Sequence, residues 1–440
     1  MTNVGFVIVC IVFKINKKFQ VCLLLVLSIF SGSVCAETLM DAFAKAYIHN
    51  TKLNSERAAV RISGDDVVIA RAALLPQIEG VGSYERNKSM TAPYITSGSM
   101  GVRLNQRLFD GFITQNTFSS AQVKLQAQRE YLRNTEQNTF LDTVTAYANV
   151  YQARRVADLR RKNLAALEEQ VRSNKAKFDV GEGGRVDLFQ AQAARSVALS
   201  ELNLARADVK SAEAVYRQVI GSYPEKLKRP SVAKDLPVNL DAAYQMSVTL
   251  HPAILYAKYL VDASLYNVKA KEGALLPKID FSATASYNRI YSGAGEDGIS
   301  KSIGLSVSVP IFEGGRTSAQ IRQSKEQLGQ ARLQLDLAHS NIRQALTSAW
   351  FQLEGARASV VAYRESVRAA EIALKGRIQE NRVGQATTLD VLNSRTQLIN
   401  AQIALAIAER NAVVASYSVQ SSIGKLTANY LGLKTIEYIR

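Results

Sequence analysis

The sequence predicts an α+β membrane protein built by duplication of one unit, in which long coiled-coil α-helices are joined to a β-hairpin. Three observations predict this fold class. Two halves of the chain repeat each other, long stretches lack helix-breaking residues, and short segments alternate apolar with polar side chains. Because a repeated unit buries its apolar surface against its neighbours, function is expected in what several units build together.

The duplication is seen in motifs that recur at a nearly constant offset. Leu108-Phe109-Asp110-Gly111 reappears 203 residues later as Ile311-Phe312-Glu313-Gly314, and Ala73-Leu74-Leu75-Pro76 reappears 201 residues later as Ala274-Leu275-Leu276-Pro277. The predicted organisation is a signal peptide at 1–36, a first repeat at 37–221, a linker at 222–238, a second repeat at 239–424 and a C-terminal tail at 425–440.

The elements expected in each repeat follow the same order. In the first repeat we expect a helix, a β-hairpin at about 77–109, a long helix at 112–180 and a return helix at 185–220. In the second we expect a hairpin at about 278–312, a long helix at 315–383 and a return helix at 385–423.

The first 36 residues have the pattern of an export signal. Three lysines, the last of them Lys18, precede an apolar run from Val21 to Phe30, and small residues end at Ala36, so cleavage is expected before Glu37. An uncleaved membrane anchor is the alternative, but the apolar run is short for a spanning helix. A lipoprotein signal at Cys35 is disfavoured, because the residues before it do not match that pattern.

Composition excludes several classes of active site. The three cysteines all lie in the export signal, and the three histidines are far apart: Cys10, Cys22, Cys35, His49, His251 and His339. We therefore expect no disulfide, no metal site, no cofactor and no catalytic residue, and a helix-end or surface role for the first two histidines. No phosphate-binding loop or nucleophile motif is present, so the sequence does not predict an enzyme.

The net charge of +16 falls to +13 when the three signal-peptide lysines are removed. Basic residues are interleaved with Asp, Glu and Gln and are not clustered with aromatic residues. This pattern favours a solvated or lipid-headgroup-facing surface, and no nucleic-acid partner is expected.

The long helices are predicted from the absence of helix breakers. Residues 112–180 contain neither Pro nor Gly, and a helix of that length would extend for about 100 Å, too long for a compact globular domain. In 185–220 apolar residues recur at alternating spacings of three and four, as in Leu188, Ala191, Ala198, Leu202 and Ala205, which predicts a left-handed coiled coil.

Segments with a period of two predict the β-hairpins. In the second repeat apolar residues alternate with polar ones in two strands of about ten residues, as an outer-membrane β-barrel requires. The residues predicted to face lipid are Phe281, Tyr287, Leu305, Val307 and Val309. Four strands cannot close a barrel and open edges do not occur in lipid, so two, three or four copies must combine.

The motifs in this order resemble the TolC family of outer-membrane channel proteins. The resemblance rests on the two Ala-Leu-Leu-Pro segments, on Val309-Pro310-Ile311-Phe312-Glu313-Gly314-Gly315, and on the turns that run from Val180 to Leu188 and from Val383 to Leu392. It implies a homotrimer whose twelve-stranded β-barrel lies in outer-membrane lipid of a Gram-negative bacterium and continues as a periplasmic α-helical tunnel.

The resemblance also implies function and partners. Family members are passive exit channels of tripartite efflux pumps or type I secretion systems. They work with a periplasmic adaptor, or membrane fusion protein, and an inner-membrane transporter of the RND, ABC or MFS class. The alternative function is a non-conducting coiled-coil surface or adhesin-like protein, which the duplication disfavours because a stalk needs no returning helices paired with two hairpins.

The turns at the far ends of the helices carry the predicted functional residues. Asp390 matches the position at which the family narrows the periplasmic entrance, whereas the second acidic position falls on Asn393. Asp187, in the other copy of the turn, is expected to act as a plain helix cap. The residues expected to contact the adaptor are Val180, Gly181, Leu188, Val383, Gly384, Val391 and Leu392.

Overall fold

A computed structural model describes residues 36–88, 94–293 and 295–433. Its elements in chain order are α1 (Leu39–His49), α2 (Thr51–Ala72), β1 (Gln77–Asn87), β2 (Ile95–Phe109), α3 (Ile113–Asp179), α4 (Arg185–Ile220), α5 (Leu240–Leu250), α6 (Pro252–Gly273), β3 (Lys278–Ser292), β4 (Gly298–Ser308), α7 (Arg316–Arg382) and α8 (Thr388–Ser422). The predicted signal peptide lies outside the described residues, apart from Ala36.

The helix limits lie close to those expected. Both long helices begin and end within one residue of the predicted positions, and α4 spans the predicted residues 185–220. The second return helix begins at Thr388, three residues later than expected, because Thr387 caps it from outside.

The helix that opens each repeat is broken once. Asn50 and His251 have extended backbone conformations, and each caps the helix that follows: Asn50 Oδ1 accepts from the Leu53 N–H (3.1 Å) and His251 Nδ1 from the Ala253 N–H (3.2 Å). The side chain of Asn50 also donates to the carbonyl of Val219, at the end of α4 (2.9 Å). The expected helix-end role of His251 is observed, and His49 is the exposed last residue of α1.

The helices form a layer that is four helices wide. Near the sheet the order is α2, α3, α6, α7, and nearer the tips it is α4, α3, α8, α7. The predicted seam of α4 is buried at Leu188, Ala191, Ala198, Leu202 and Ala205. Helix α8 is long and apolar enough to cross a membrane by composition, but many of its apolar residues pack against α3 and α7 within this layer.

The largest apolar core lies midway along the helices. Phe43 of α1 contacts the ring of Phe140 of α3 (5.3 Å between centroids) and that of Tyr417 of α8 (6.0 Å). Tyr147 is fully buried beside them and donates its hydroxyl to the carbonyls of Glu37 and Lys228, both at 2.7 Å. The start of the described chain and the linker are therefore fixed to the middle of α3.

The four strands form one antiparallel sheet in the order β1-β2-β3-β4. Strand β4 ends at Ser308, so the second hairpin is shorter than the expected 278–312. The prediction that Val309 belongs to this strand is wrong: it lies one residue beyond the end and directly before Pro310, which has no N–H to donate to a ladder.

Candidate functional site: the sheet and the helical tips

One face of the sheet is apolar and exposed in the protomer. Leu305 lies opposite Phe281, and Tyr287 lies opposite Met100 on the other side of β3. Leu305 and Val307 are both more than half exposed. Because side chains alternate between faces along each strand, these residues share one face, as their spacing predicted.

The opposite face is polar and carries two ion pairs. Arg103 of β2 contacts Glu79 of β1, and Arg107 of β2 contacts Asp280 of β3, both at 3.2 Å. Ser306 lies on this face, opposite Asp280. A sheet with one apolar and one charged, hydrogen-bonding face is suited to separate hydrocarbon from water.

The protomer is open along both of its sides. Among the described residues, β1 and β4 each have a strand neighbour on one side only, and they connect directly to the outer helices α2 and α7. The edges of the sheet therefore continue into the edges of the helical layer. The helices at the edges of the layer are α2, α4 and α7. Their exposed apolar residues include Ile62, Val68 and Ile69 on α2, Val197 and Leu204 on α4, and Leu333, Leu337 and Ile372 on α7.

The two turns at the far ends of the helices have the same backbone. Gly181 and Gly384 have φ angles of 78° and 77°, in the left-handed region that favours glycine. The residue after each glycine donates its N–H back to a carbonyl of the long helix, at 2.9 Å for Glu182 and 2.8 Å for Gln385. Both turns thus end the outgoing helix in the same way.

The second turn holds Asp390 in a capping box. Asp390 Oδ2 accepts from the backbone N–H of Thr387 (2.9 Å) and from its hydroxyl (2.7 Å), and the Asp390 N–H donates to Thr387 Oγ1 (3.2 Å). The hydrogen bonds from the Thr387 side chain and backbone hold the pKa of the Asp390 carboxyl below its usual value. This side chain is therefore ionised and fixed at the start of α8.

The first turn has no equivalent cap. Gly184 stands where the second turn has Thr387, and the N-terminus of α4 has no side-chain cap hydrogen bond. The prediction that Asp187 is the plain helix cap is therefore wrong, and the capping carboxylate is Asp390. Asp187 takes part through its backbone carbonyl, which accepts from Asn174 Nδ2 (3.0 Å).

The family follows from comparison with known proteins. The model of the outer membrane efflux protein family matches residues 43–222 and 243–425, one match for each repeat. The chain belongs to this family. It is an outer-membrane channel protein of efflux or secretion, as its sequence motifs predicted, and its place is the outer membrane of a Gram-negative cell.

Individual efflux-family relatives align over nearly the whole chain. The outer membrane efflux protein BepC of Brucella suis is 52% identical over 97% of this chain and 94% of its own length. The outer membrane protein TolC of Escherichia coli is 27% identical over 93% of this chain and 87% of its own. Among solved structures, the outer membrane protein VceC of Vibrio cholerae has a TM-score of 0.76 at 17% identity, covering 88% of this chain and 96% of that one. The predicted fold class is thus confirmed.

The structure divides the predicted adaptor-docking residues of this efflux protein into two groups. Val180, Gly181, Val383 and Gly384 are exposed at the tips, whereas the remaining three, Leu188, Val391 and Leu392, are buried within the protomer. The docking prediction is corrected for these three, whose apolar side chains pack between the helices.

Sequence reasoning missed other residues at the tips. The exposed apolar side chains Val186, Phe189 and Leu389 lie beside the turns but off the coiled-coil seam, which is the signal that could have identified them. Asn393 is exposed one turn after Asp390. Arg395 is half-buried, and desolvation lowers its pKa.

Proposed function

We propose that three copies of the chain close into one channel, with a twelve-stranded barrel in the outer membrane and a helical tunnel in the periplasm. The observation that carries this proposal is that sheet and helical layer are open along the same two sides. An unpaired strand edge cannot face lipid, because each backbone group without a hydrogen-bond partner costs on the order of several kcal/mol in an apolar medium. The number three comes from the family resemblance.

The duplication supports a specific interface between copies. Within the protomer α3 of the first repeat packs against α6 of the second, and the equivalent pair formed by the other halves is α7 and α2. These two helices lie on opposite sides of one protomer, so they meet only between neighbours. Their exposed apolar residues, including Leu333 on α7 and Ile69 on α2, would be buried there.

In this assembly the apolar face of the sheet lies against lipid and the polar face lines the lumen. Phe281, Tyr287, Leu305 and Val307 face the hydrocarbon, whereas Ser306 and the two ion pairs face water. The channel is passive and performs no catalysis. The protein excludes lipid from a water-filled passage and places charged side chains along that passage.

At the periplasmic end, Asp390 from three copies forms a ring of carboxylates that narrows the entrance. The capping box supports this role, since it fixes the side chain and keeps it ionised. Asn393 adds no second ring of charge. The exposed tip residues Val180, Gly181, Val383 and Gly384 contact a periplasmic adaptor, which links the channel to an inner-membrane transporter.

The cargo proposed is small molecules. The relative at 52% identity is named as an efflux protein, whereas the alkaline protease secretion protein AprF of Pseudomonas aeruginosa is 23% identical over 84% of this chain. We place the chain with the former, as the outer-membrane component of a tripartite efflux pump. Deletion should lower the tolerated concentration of several antibiotics and dyes and leave the secreted protein profile unchanged; the reverse result would contradict this cargo.

Assembly and conduction are tested on purified protein. The native mass should be three times that of the mature chain, and planar bilayers should show discrete conductance steps. Leu305→Arg should prevent insertion, because a cation on the lipid face costs about 2 to 4 kcal/mol at mid-bilayer. Ser306→Arg should insert and alter ion selectivity. A monomer that conducts, or a trimer that does not, would contradict the proposed channel, and equal damage at both positions would contradict the proposed orientation.

A further inference from the structure

A cavity of about 390 Å³ lies under the linker, at mid-length of the helical layer. Residues 229–232 of the linker cover it, and α3, α7 and α8 form its walls. All lining residues belong to one protomer. The volume falls within the range of small-molecule sites, about 300 to 1,000 Å³.

Four arginines and one carboxylate line the cavity. Glu409 pairs with Arg155, with Arg229 (2.6 Å) and with Arg364 (3.7 Å), so one negative charge is shared by three guanidinium groups. The fourth, Arg410, donates to the neutral amides of Asn149 (2.7 Å) and Asn411 (2.9 Å). Counting four cations and one anion, the lining has a surplus of three positive charges.

Part of this surplus lies where charge is desolvated. Glu409 is mostly buried, and desolvation lowers the pKa of Arg410, because its charge has lost part of its hydration. Arg229 and Arg364 are more than half exposed and lie at the mouth. Guanidinium groups so arranged offer several N–H donors to an anionic group, which would replace the lost hydration.

Most of the rest of the lining is apolar, with Tyr151, Gln152 and Ser231 as the other polar residues. Val360 and Val413 are buried in the wall, together with Ala406, and Pro230 covers them from the linker. A fully hydrated inorganic anion gains nothing from such a surface. An anion attached to an apolar body would place its charge among the arginines and its body against the valines.

We propose that this cavity binds a small anionic amphiphile, a carboxylate or sulfonate with an apolar skeleton, on the periplasmic part of each protomer. Its lining residues lie in the middle parts of α3, α7 and α8 and in the linker, away from the tips. Through this site the protein would bind amphiphiles of the periplasm at the level of the linker.

The test uses the trimer in lipid nanodiscs and anilinonaphthalene sulfonate as the probe, with empty nanodiscs subtracted. One saturable site per protomer is expected. The double variant Arg229→Gln/Arg364→Gln should weaken binding about tenfold or more, because it removes two exposed charges at the mouth and leaves Glu409 paired with Arg155. The control Arg322→Gln/Arg332→Gln removes two exposed arginines of α7 that lie about 63 and 48 Å from Arg364 along the helix, and should bind as the unmodified protein does.

Two further probes separate charge from apolar contact. Phenylnaphthylamine carries the same apolar body without the sulfonate and should bind much more weakly, whereas sodium sulfate carries the charge without the body and should not compete at equal concentration. Absence of saturable binding, equal binding of the neutral probe, competition by sulfate, or equal loss in the control variant would each overturn the proposal. Bilayer conductance of the double variant should be unchanged, so a failure of this site is distinct from a failure of the channel.

Discussion

The two copies of the repeat have the same backbone at three places but differ there in side chains or in surroundings. At the tips, the position of Thr387 is held by Gly184 in the first copy, so only the second turn has a capping box. At the helix breaks, Asn50 and His251 perform the same capping task with different groups. Duplication has kept the geometry and allowed the chemistry of each copy to change.

The third place is the junction between hairpin and long helix. Gly111 and Gly314 are equivalent and have similar φ angles, 71° and 61°. A Cβ on Gly111 would lie 2.1 Å from the carbonyl oxygen of Gly273, whereas a Cβ on Gly314 meets nothing within 4 Å in the protomer. The first junction packs inside the protomer, and the second lies on the open side. The difference teaches that one copy completes this contact within the chain, whereas the other leaves the same surface open in the protomer.

The largest effect is expected from Gly111→Ala. The clash with the Gly273 backbone and the left-handed φ together should cost about 4 kcal/mol, and little folded trimer should form. Gly314→Ala should cost only about 1 kcal/mol within the protomer but should lower the yield and dissociation temperature of the trimer, because α2 of the neighbour would pack there. Gly355→Ala, in open space within α7, is the control for both. Equal, small effects of both junction variants on trimer yield would contradict the comparison.

The helix breaks differ in their response to pH. Desolvation lowers the pKa of His251 to about 4, from 6.5 in the unfolded chain. Since the unfolded state binds the proton more readily, stability from this group is complete above about pH 6.5 and is lost as the pH falls towards 4, by about 3 kcal/mol in all.

His251→Asn introduces the residue type that caps the equivalent helix of the first repeat at Asn50. It should remove the loss of stability at low pH and keep the start of α6. Unfolding temperatures measured across this pH range would show it as a flatter profile. His49→Asn, at an exposed position that caps nothing, should leave the profile unchanged; flattening by both variants would assign the effect to something other than the buried cap.

The tips should differ in selectivity. Asp390→Asn should reduce cation preference and blockage by multivalent cations, because it removes the carboxylates of the proposed entrance ring. Asp187→Asn should shift the reversal potential in a KCl gradient much less. If the two shifts are equal, or if neither variant shifts the potential, Asp390 does not form the entrance.

The smallest effect concerns the cap itself. Gly184→Thr should create the missing capping box with Asp187, since the backbone there is already extended, and should stabilise the first turn by about 0.5 kcal/mol. Thr387→Gly should destabilise the second turn by a few tenths of a kcal/mol. Hydrogen exchange at the first residues of α4 and α8 would measure both changes, and changes of the same sign would contradict this account.

Much of the fold could be predicted from the sequence because its signals are local and repeated. A long stretch without Pro or Gly predicted α3, the repeat predicted its copy α7, and a period of two predicted the hairpins. A helix-end role was among those expected for His251, but the break at Asn50 was missed because polar residues at such positions are also common on helix surfaces. The break at Asn50 is fixed by a contact to Val219, which is distant in sequence.

The candidate site was predictable only in part. Asp390 was selected by its position in the family pattern. Its capping role could also have been predicted, because Thr387 stands three residues before it. In the first copy Gly184 stands at that position, which predicts that the capping box is absent there. The burial of Leu188 and Val391 follows from helix packing and was not read from the turn motif. The cavity is formed by residues from four distant segments, from Arg155 to Arg410, so no local pattern indicates it.

The equal lengths of α3 and α7, 67 residues each, restrict how such a chain can change. One inserted residue in a single copy would rotate its seam by about 100° and raise its tip by about 1.5 Å relative to the other. An insertion of seven residues would keep the seam but leave the tips about 10 Å apart in height. The reach of the protein can therefore be altered only by matched insertions in both copies, each a whole number of heptads.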